Sequence, residues 1–311
     1  MLLRSAPRTE LAGPLESTMA LKGQLPEPDH SLEDAPTAEM LTASAPIRQQ
    51  VGMWRLGEVV QVAAPVSGAT AEGSLGRGVF ITSTARNLSE GNAWISHATW
   101  WLRTHRVGNV PQLLDHGMAL DGRLWMVRSA TPASWRQLLH QQGPLTPEAA
   151  VRALTAAARS LAPVHAAGWA HQALTLDVLH APHSGRACIS GWGAARPCSA
   201  PSEPSADPCR DPISLTAATD VGARRDVCAM GHLMLELVTP DVRVLRRAGR
   251  VGDAVRTALP EPGIAHRVLR HIIGAAVHPA PDERWLDAGA LASELQSWLD
   301  SFGQGRQSSG D

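Results

Sequence analysis

The local pattern of the chain changes from strand-like to helical about midway along it, and this order limits the folds that the chain can adopt. Short apolar and β-branched runs, WRLGEVVQVAAPV and RGVFITST, predict strands from Trp54 onward. One helix interrupts them between Glu90 and Arg103, where the apolar residues recur on a single helical face. From Leu145 to Leu299 the pattern is mainly helical. The sequence therefore predicts an α+β fold with its strands before most of its helices.

Local capping and turn chemistry place some of these elements more closely. The Asp-Gly pair at 121–122 predicts a hairpin turn between two strands. Thr146 predicts the N-cap of a long helix, whose apolar period ends near His165. Asp226 is predicted to cap a second, buried helix through DVCAMGHLMLELV, which is apolar nearly all round.

Composition divides the chain into four segments. Residues 1–50 are rich in Pro, Glu, Asp, Ser and Thr without any period, which predicts a disordered tail. Residues 51–128 form the strand-rich part, residues 129–301 form the helical part, and residues 302–311 are predicted to be a second disordered tail. Within the helical part, the Pro- and Ser-rich run 197–214 predicts a long loop.

Charge and cysteine usage exclude several classes of function. The net charge of −1 gives no electrostatic reason for binding nucleic acid or a membrane surface. No apolar run is long enough to span a bilayer, so we predict a cytoplasmic protein. The four cysteines form no C-x-x-C pair, which argues against a zinc site or a disulfide framework. Lys22 is the only lysine of the chain.

The order of motifs in the helical part resembles a known family. The stretch that carries the resemblance is LTPEAAVRALTAAARSLAPVHAAGWAHQALTLDVLHAPHSGRACISGWGAAR. It is similar to the catalytic region of bacterial serine/threonine protein kinases of the eukaryotic type, in which a helix, a His-Arg-Asp loop and an Asp-Phe-Gly motif follow one another. The resemblance covers residues 54–299. It implies a bilobal protein-kinase-like fold, with a small strand-rich N-lobe at 51–128 and a larger helical C-lobe at 129–301.

The resemblance also implies that the residues of phosphoryl transfer are missing. His-Arg-Asp falls on His171-Gln172-Ala173, so the proton-accepting Asp is Ala173. The metal-binding Asn of the same loop falls on Val178, and the metal-binding Asp of Asp-Phe-Gly falls on Gly191. None of these three side chains can accept a proton or bind a magnesium ion.

The strand-rich part lacks the nucleotide-binding residues of the family. Val79 to Thr82, VFIT, resembles the Val-Ala-Ile-Lys strand and places Thr82 where the phosphate-pairing lysine belongs. A shifted alignment does not restore this lysine, because none follows Lys22. The segment before the strand contains no G-x-G-x-x-G loop, and no glutamate near His97 replaces the helical partner of the lysine.

Three residues match positions that support the fold in the family rather than the chemistry. His171 matches the packing histidine of the catalytic loop, and Asp226 matches the Asp that braces this loop. Arg284, in Asp282-Glu283-Arg284, matches a late structural arginine, although its Ala-Pro-Glu partner motif is not legible. For His171 we favour a packed core histidine over a general base, because the loop offers it neither an acidic partner nor a nucleophile.

Other residues allow both a functional and a structural interpretation. Asp177 is a candidate metal ligand beside the missing Asn, but we favour a solvated turn residue. Trp192 could fill an empty nucleotide cleft, but we favour packing in place of the family's Phe. One of Trp100 and Trp101 is expected in the core, and the pair could also anchor a partner.

The Ser-rich loop is a possible phosphorylation segment. Negative charge there could meet an arginine of the same region; otherwise the loop has no role, which is the interpretation we favour. The residues concerned are Ser199, Ser202, Ser205, Arg196 and Arg210.

The sequence therefore predicts a regulatory or scaffolding pseudokinase in signalling, without phosphotransfer activity. Its expected partner is a protein, such as an active kinase or another signalling protein. No cofactor is predicted. The alternative is a weak or atypical serine/threonine kinase that binds ATP and Mg²⁺, and a third hypothesis is a decayed gene product, which an insoluble or molten protein would support.

Overall fold

The structure is a computed structural model that describes most of the chain after its first 49 residues. The described residues are 50–60, 62, 65–105, 109–181, 186–199, 222–239, 251–260 and 263–307. The tail predicted for residues 1–50 lies outside this range except for Gln50, and so does the predicted loop from residue 200 onward.

Within the described residues, six antiparallel strands form one sheet. The strands are β1 Gln50–Val51, β2 Trp54–Val60, β3 Val66–Gly73, β4 Gly76–Ser83, β5 Leu113–Met118 and β6 Leu124–Ser129. Their order across the sheet is β1-β2-β3-β4-β6-β5. The predicted hairpin turn lies between β5 and β6, where Gly122 has a φ of 80°. This φ is in the left-handed region, which glycine adopts without strain.

A helix, α1 (Leu88–Thr104), covers one face of the sheet and confirms the helix predicted between Glu90 and Arg103. Successive residues of β4 point to opposite faces because the strand period is two. Val79 and Ile81 therefore pack with the α1 residues Ile95 and Ala98, whereas Phe80 packs in a separate cluster on the other face.

Helices dominate the second part of the chain and enclose its largest apolar core. They are α2 Trp135–Gln142, α3 Pro147–Ala166, α4 Gly222–Val238, α5 Val251–Ala258, α6 Ile264–Ala276 and α7 Ala288–Gln307. Shorter elements are the strand pair β7 Trp169–Ala170 and β8 Arg196–Pro197 and the 3-10 turns Ala85–Asn87, Trp192–Ala194 and Pro281–Glu283. The α+β class, with an antiparallel sheet before most of the helices, is confirmed.

The helix predicted after Thr146 is confirmed together with its cap. Thr146 Oγ1 accepts the N–H of Ala149 at 3.3 Å, and Gly168, with φ 79°, follows the end of α3. The sequence analysis missed α2. This helix carries a capping box, in which Gln137 N–H donates to Ser134 Oγ at 3.3 Å and Ser134 N–H donates to Gln137 Oε1 at 2.9 Å.

The end of the chain departs from the prediction of a tail at 302–311. Helix α7 continues to Gln307, beyond the boundary predicted at residue 301. Phe302 stacks on Trp298, one turn earlier in the helix, and the two ring centroids are 4.8 Å apart. This contact extends the helix into the predicted tail.

Among the described residues, the structure contains no helix that combines the length and the apolar character needed to cross a membrane.

Candidate functional site

A buried carboxylate organises the loop that contains His171. Asp226 lies in α4 and is 1% exposed. Its Oδ2 accepts the N–H of His171 at 2.6 Å, its Oδ1 accepts the N–H of Gln172 at 2.8 Å, and His165 Nε2 lies 3.1 Å from Oδ2. We call Asp226, His165, His171 and Gln172 the Asp226 hub. The hub fixes both backbone N–H groups at the start of the loop.

His165 extends the hub to the last helix. Its Nδ1 accepts the N–H of Ala288 at 3.1 Å, so the ring proton lies on Nε2 and is donated to Asp226. The hub thereby joins the end of α3, the interior of α4 and the start of α7. The sequence analysis identified His165 only as a helix end, because its partners are far away along the chain.

The prediction that Asp226 caps its helix is wrong. Helix α4 already begins at Gly222, so Asp226 lies in its second turn. Its carboxylate bonds to the loop and to His165 rather than to the free N–H groups of its own helix. Asp226 therefore holds the loop through its hydrogen bonds to His171 and Gln172, from a position inside the helix.

The loop itself places Ala173 beside a fully occupied histidine. His171 is 0% exposed; its Nε2 donates to Ser190 O at 2.8 Å and its Nδ1 accepts the N–H of Ala173 at 3.3 Å. Both ring nitrogens are thus held by the backbone, which supports the packed interpretation of His171. Ala173, where the kinase resemblance expects a proton-accepting Asp, contributes only a methyl group.

Val178 and Gly191 lie against each other. Ser190 N–H donates to Val178 O at 3.0 Å, which sets the two segments side by side. Gly191 has φ 87°, and a Cβ at this position would lie 2.8 Å from Val178 Cγ1. Val178 is 6% exposed. The methyl group of Val178 therefore occupies the space that any side chain at position 191 would need.

Asp177 faces a guanidinium group rather than other acidic side chains. Its Oδ2 lies 3.6 Å from Arg136 Nε, and Arg136 Nη2 also lies 3.2 Å from Glu236 Oε2. In the part of the chain that the structure describes, no three His, Cys, Asp or Glu side chains lie together as a metal ion would require. The metal hypothesis for Asp177 gains no second ligand from this geometry.

Trp192 packs inside the protein. It is 2% exposed, its ring lies parallel to that of Trp101 with centroids 3.9 Å apart, and its Nε1–H donates to Ile189 O at 2.7 Å. These contacts support the packing interpretation. Trp101 is 0% exposed and Trp100 is 47% exposed, so the expectation that one of this pair lies in the core is confirmed. The use of Trp100 as a partner anchor stays a prediction.

Thr82 lies on the face of β4 that is turned away from α1. Its neighbours Ile81 and Ser83 point to α1, and Thr82 Oγ1 donates to Leu124 O at 3.0 Å within the sheet. A side chain that pairs with α1 would have to stand at position 81 or 83. Neither position carries an amine.

A neutral contact joins α1 to the sheet. Ser83 Oγ donates to Asn92 Oδ1 at 2.7 Å, Leu124 N–H donates to the same oxygen at 2.8 Å, and Asn92 Nδ2 donates to Gly122 O at 2.9 Å. Gly91 permits this approach, since a Cβ there would lie 2.6 Å from Ser83 Cβ. The sequence analysis did not identify Asn92.

The same helix also closes against the 3-10 turn Trp192–Ala194. A Cβ at Gly193 would collide with the indole ring of Trp94 in α1. The backbone of the turn and the face of the indole are therefore in direct contact. Helix α1 is held at both the sheet and the turn.

Arg284 binds the backbone after α6. It is 5% exposed, and it donates from Nε to His278 O at 2.7 Å and from Nη2 to Pro279 O at 3.4 Å. Nearby, Asp282 forms an ion pair with Arg224 of α4. These contacts are consistent with a structural role for Arg284.

The predicted phosphorylation segment is mostly beyond the described residues. Ser199 is described and exposed, whereas Ser202, Ser205 and Arg210 lie outside the described ranges. Arg196 Nη1 donates to Ala195 O at 2.8 Å. The hypothesis for this segment stays a prediction.

A buried histidine lies at the connection between the two parts. His180 Nδ1 donates to Pro132 O at 2.9 Å, and its Nε2 accepts the hydroxyl of Ser190 at 2.9 Å. Burial and then the charge of Arg128 lower the pKa of His180 from 6.5 to about 4, against a smaller opposing effect of the Pro132 carbonyl. His180 is therefore neutral in the folded protein at neutral pH.

This histidine should make the protein less stable in mild acid. The unfolded chain binds a proton at His180 below about pH 6.5, whereas the folded chain does so only near pH 4, so stability falls as the pH falls through this window. We expect His180 to account for a loss of about 2 kcal/mol in unfolding free energy between about pH 7.5 and about pH 5. Urea unfolding at each pH, compared between the wild type and His180→Gln, measures this contribution.

A residual slope is expected in the His180→Gln variant. Burial, with the charge of Arg196, also lowers the pKa of His97, which acts in the same direction. Equal slopes for the variant and the wild type would contradict the assignment to His180.

Comparison with known proteins does not assign the chain to a family. No family model matches the chain, and no curated protein matches it either.

Proposed function

We propose that this chain has a bilobal protein-kinase-like fold and acts in signalling as a regulatory or scaffolding pseudokinase. The observation that carries the proposal is the contact between Val178 and Gly191, where a Cβ at position 191 would lie 2.8 Å from Val178 Cγ1. In the resembling kinases these two positions hold metal ligands. Here an apolar side chain and a glycine fill them.

The Asp226 hub supports the fold half of the proposal. In the family, an Asp of the central helix braces the catalytic loop, and Asp226 binds both N–H groups at the start of the corresponding loop. A hub of this kind needs α3, α4 and the loop in one arrangement. The Asp226 hub is present although Ala173, Val178 and Gly191 lack the side chains for phosphoryl transfer. This combination favours a kinase-like fold that has kept its structure and lost its catalytic activity.

Magnesium does not fit the changed positions. Magnesium takes oxygen ligands, and neither Val178 nor Gly191 has a side-chain oxygen. Asp177 faces Arg136, whose positive charge competes with a bound cation. The positions of Val178 and Gly191 therefore do not hold a metal-bound nucleotide in this proposal.

The four missing catalytic groups together would remove most of the barrier reduction that a kinase needs. An enzyme must lower the barrier by at least ~8 kcal/mol to reach the low end of known rate enhancements. A proton acceptor, two metal ligands and a phosphate-binding lysine contribute to this in the family, and all four are missing at the matching positions. Binding to a protein partner, such as an active kinase in the cytoplasm, does not require any of them.

Nucleotide binding and phosphotransfer test the proposal directly. The full chain is titrated with ATP, with and without Mg²⁺, while its thermal unfolding is followed, because a ligand of the native state raises the melting temperature. A parallel assay measures autophosphorylation with radiolabelled ATP. We expect no Mg²⁺-dependent rise in melting temperature and no incorporated phosphate.

The alternative of a weak or atypical kinase makes the opposite prediction. It requires a Mg²⁺-dependent shift and phosphate incorporation that a mutation in the candidate site abolishes. Asp177→Asn is the matched test, because Asp177 is the remaining acidic residue of the loop. Activity that Asp177→Asn removes would overturn the pseudokinase proposal.

A further inference from the structure

Arg128, near the end of β6, has an incompletely bonded guanidinium group. The residue is 6% exposed. Its Nη1 donates to Ser129 O and to Thr131 Oγ1, both at 3.2 Å. Within the described ranges, Nε and Nη2 of Arg128 have no hydrogen-bond acceptor. One edge of this largely buried guanidinium group is therefore oriented, donates no hydrogen bond to the described protein, and is not completely shielded from solvent.

The surroundings of Arg128 supply no negative charge. No carboxylate in the described part of the chain forms an ion pair with it. Two titratable side chains interact with it, His180 and Cys188. Burial lowers the pKa of His180 to about 4 and raises the pKa of the Cys188 thiol to about 11, so both are neutral at pH 7.

Arg128 itself remains charged. Burial lowers the pKa of Arg128 to about 10, which is still well above neutral pH. A buried cation without a counter-charge is unfavourable, and a guanidinium group relieves this most effectively with a planar anion that accepts two parallel N–H bonds. The free Nε–Nη2 edge is the edge that forms such a pair.

We propose that Arg128 binds an oxyanion, a carboxylate or a phosphate, through its Nε–Nη2 edge. The two bonds of Nη1 to Ser129 and Thr131 hold the guanidinium group in place before the ligand arrives. The ligand is either a free anion or the phosphoryl group of a nucleotide. This assignment is independent of the proposed function, because it needs neither phosphotransfer nor a protein partner.

The site lies where the strand-rich and helical parts meet. Thr131 and Pro132 connect β6 to α2, and the carbonyl of Pro132 accepts the bond from His180, whose backbone N–H donates to Cys188 O at 3.0 Å. An anion at Arg128 adds a charged contact at this connection. Its binding therefore stabilises the folded state as a whole.

Thermal unfolding of the full chain tests the proposal. Sodium phosphate, sodium acetate and metal-free ATP are each compared with sodium chloride at equal ionic strength. We expect at least one oxyanion to raise the melting temperature of the wild type. Phosphate or acetate alone would identify a free anion as sufficient, whereas a rise with ATP alone would identify a nucleotide phosphoryl group.

Variants separate a specific site from general salt effects. Arg128→Lys keeps the charge but lacks the two-nitrogen edge, so the anion-dependent rise should disappear. Arg77→Lys is the matched control, since the Arg77 side chain is 84% exposed, and it should behave like the wild type. An equal rise in Arg128→Lys, or no rise in the wild type with any of the three anions, would overturn the proposal.

A second measurement covers the case in which Arg128→Lys does not fold. Thr131→Val removes one of the two bonds that orient Arg128. Broadening of the phosphate line in ³¹P NMR reports phosphate binding directly. We expect Thr131→Val to raise the dissociation constant for phosphate about tenfold, because one bond that orients Arg128 is lost. Unchanged phosphate affinity in Thr131→Val would overturn the proposal in that case.

Discussion

Replacement of Asp226 by asparagine is expected to lower the free energy of unfolding by about 3–5 kcal/mol, the range for breaking a buried charged contact. Asp226 is 1% exposed and accepts bonds from the N–H groups of His171 and Gln172 and from His165. Asparagine has one acceptor oxygen and an NH₂ group, so at least one donor would face another donor. The resulting unsatisfied polar groups cannot reach water.

Urea unfolding monitored by tryptophan fluorescence measures this effect. The matched control is Asp300→Asn, the same chemical change at an exposed residue of α7 whose bond is to the nearby Gln296. We expect the control to change stability by no more than about 0.5 kcal/mol, as is usual at the surface. A loss in Asp226→Asn as small as that of the control would show that the Asp226 hub does not hold the fold together.

Substitution of Gly191→Asp, which introduces the residue that the kinase resemblance expects at this position, is expected to destabilise the protein by about 3 kcal/mol or more. Two effects combine at this position. The φ of 87° disfavours any side chain, and a Cβ would lie 2.8 Å from Val178 Cγ1. Since Val178 is nearly fully buried, it has little room to move away.

Two further variants separate these effects. Gly122→Asp is a control, because Gly122 has a φ of 80° but no atom lies within 4 Å of the added Cβ. We expect it to lower the free energy of unfolding only through the strained backbone, by about 1 kcal/mol or somewhat more. The double variant Gly191→Asp with Val178→Ala should recover part of the loss relative to the sum of the single changes. Chemical unfolding of the wild type, the single variants Gly191→Asp and Val178→Ala and their double variant gives the coupling energy. If Gly191→Asp cost no more than Gly122→Asp, the space beside Val178 would be open to a metal ligand.

Elements with strong local patterns could be predicted from the sequence. Helix α3 has both a cap at Thr146 and a long apolar period, and both are found. The hairpin around Gly122 follows from an Asp-Gly pair that few other structures accommodate. In these cases the residues that determine the element lie within it or next to it.

Helix α2 and the register of β4 could not be obtained in the same way. Helix α2 is only eight residues long, too short to show an apolar period, although the Ser134–Gln137 capping box was a usable indication. In β4 a shift by one residue moves every side chain to the other face. For that reason Thr82, although it fits the family motif in sequence, points away from α1.

The contacts of the candidate site depend on long separations along the chain. His165 and Asp226 are 61 positions apart, and Arg128 meets Cys188 and His180 only through the fold. Local patterns identified Asp226 and His171 as structural residues but not the partners that fix them. The bidentate edge of Arg128 has no sequence motif at all.

The anchoring of α1 has a consequence for any protein that binds its outer side. Ser83 and Asn92 tie its first turns to the sheet, and Trp94 lies against Gly193. A helix held in this way has little conformational entropy left to lose when a partner covers it. The exposed ring of Trp100, on the same helix, is therefore a preorganised contact. A partner that binds it would not lose binding free energy to the ordering of the helix.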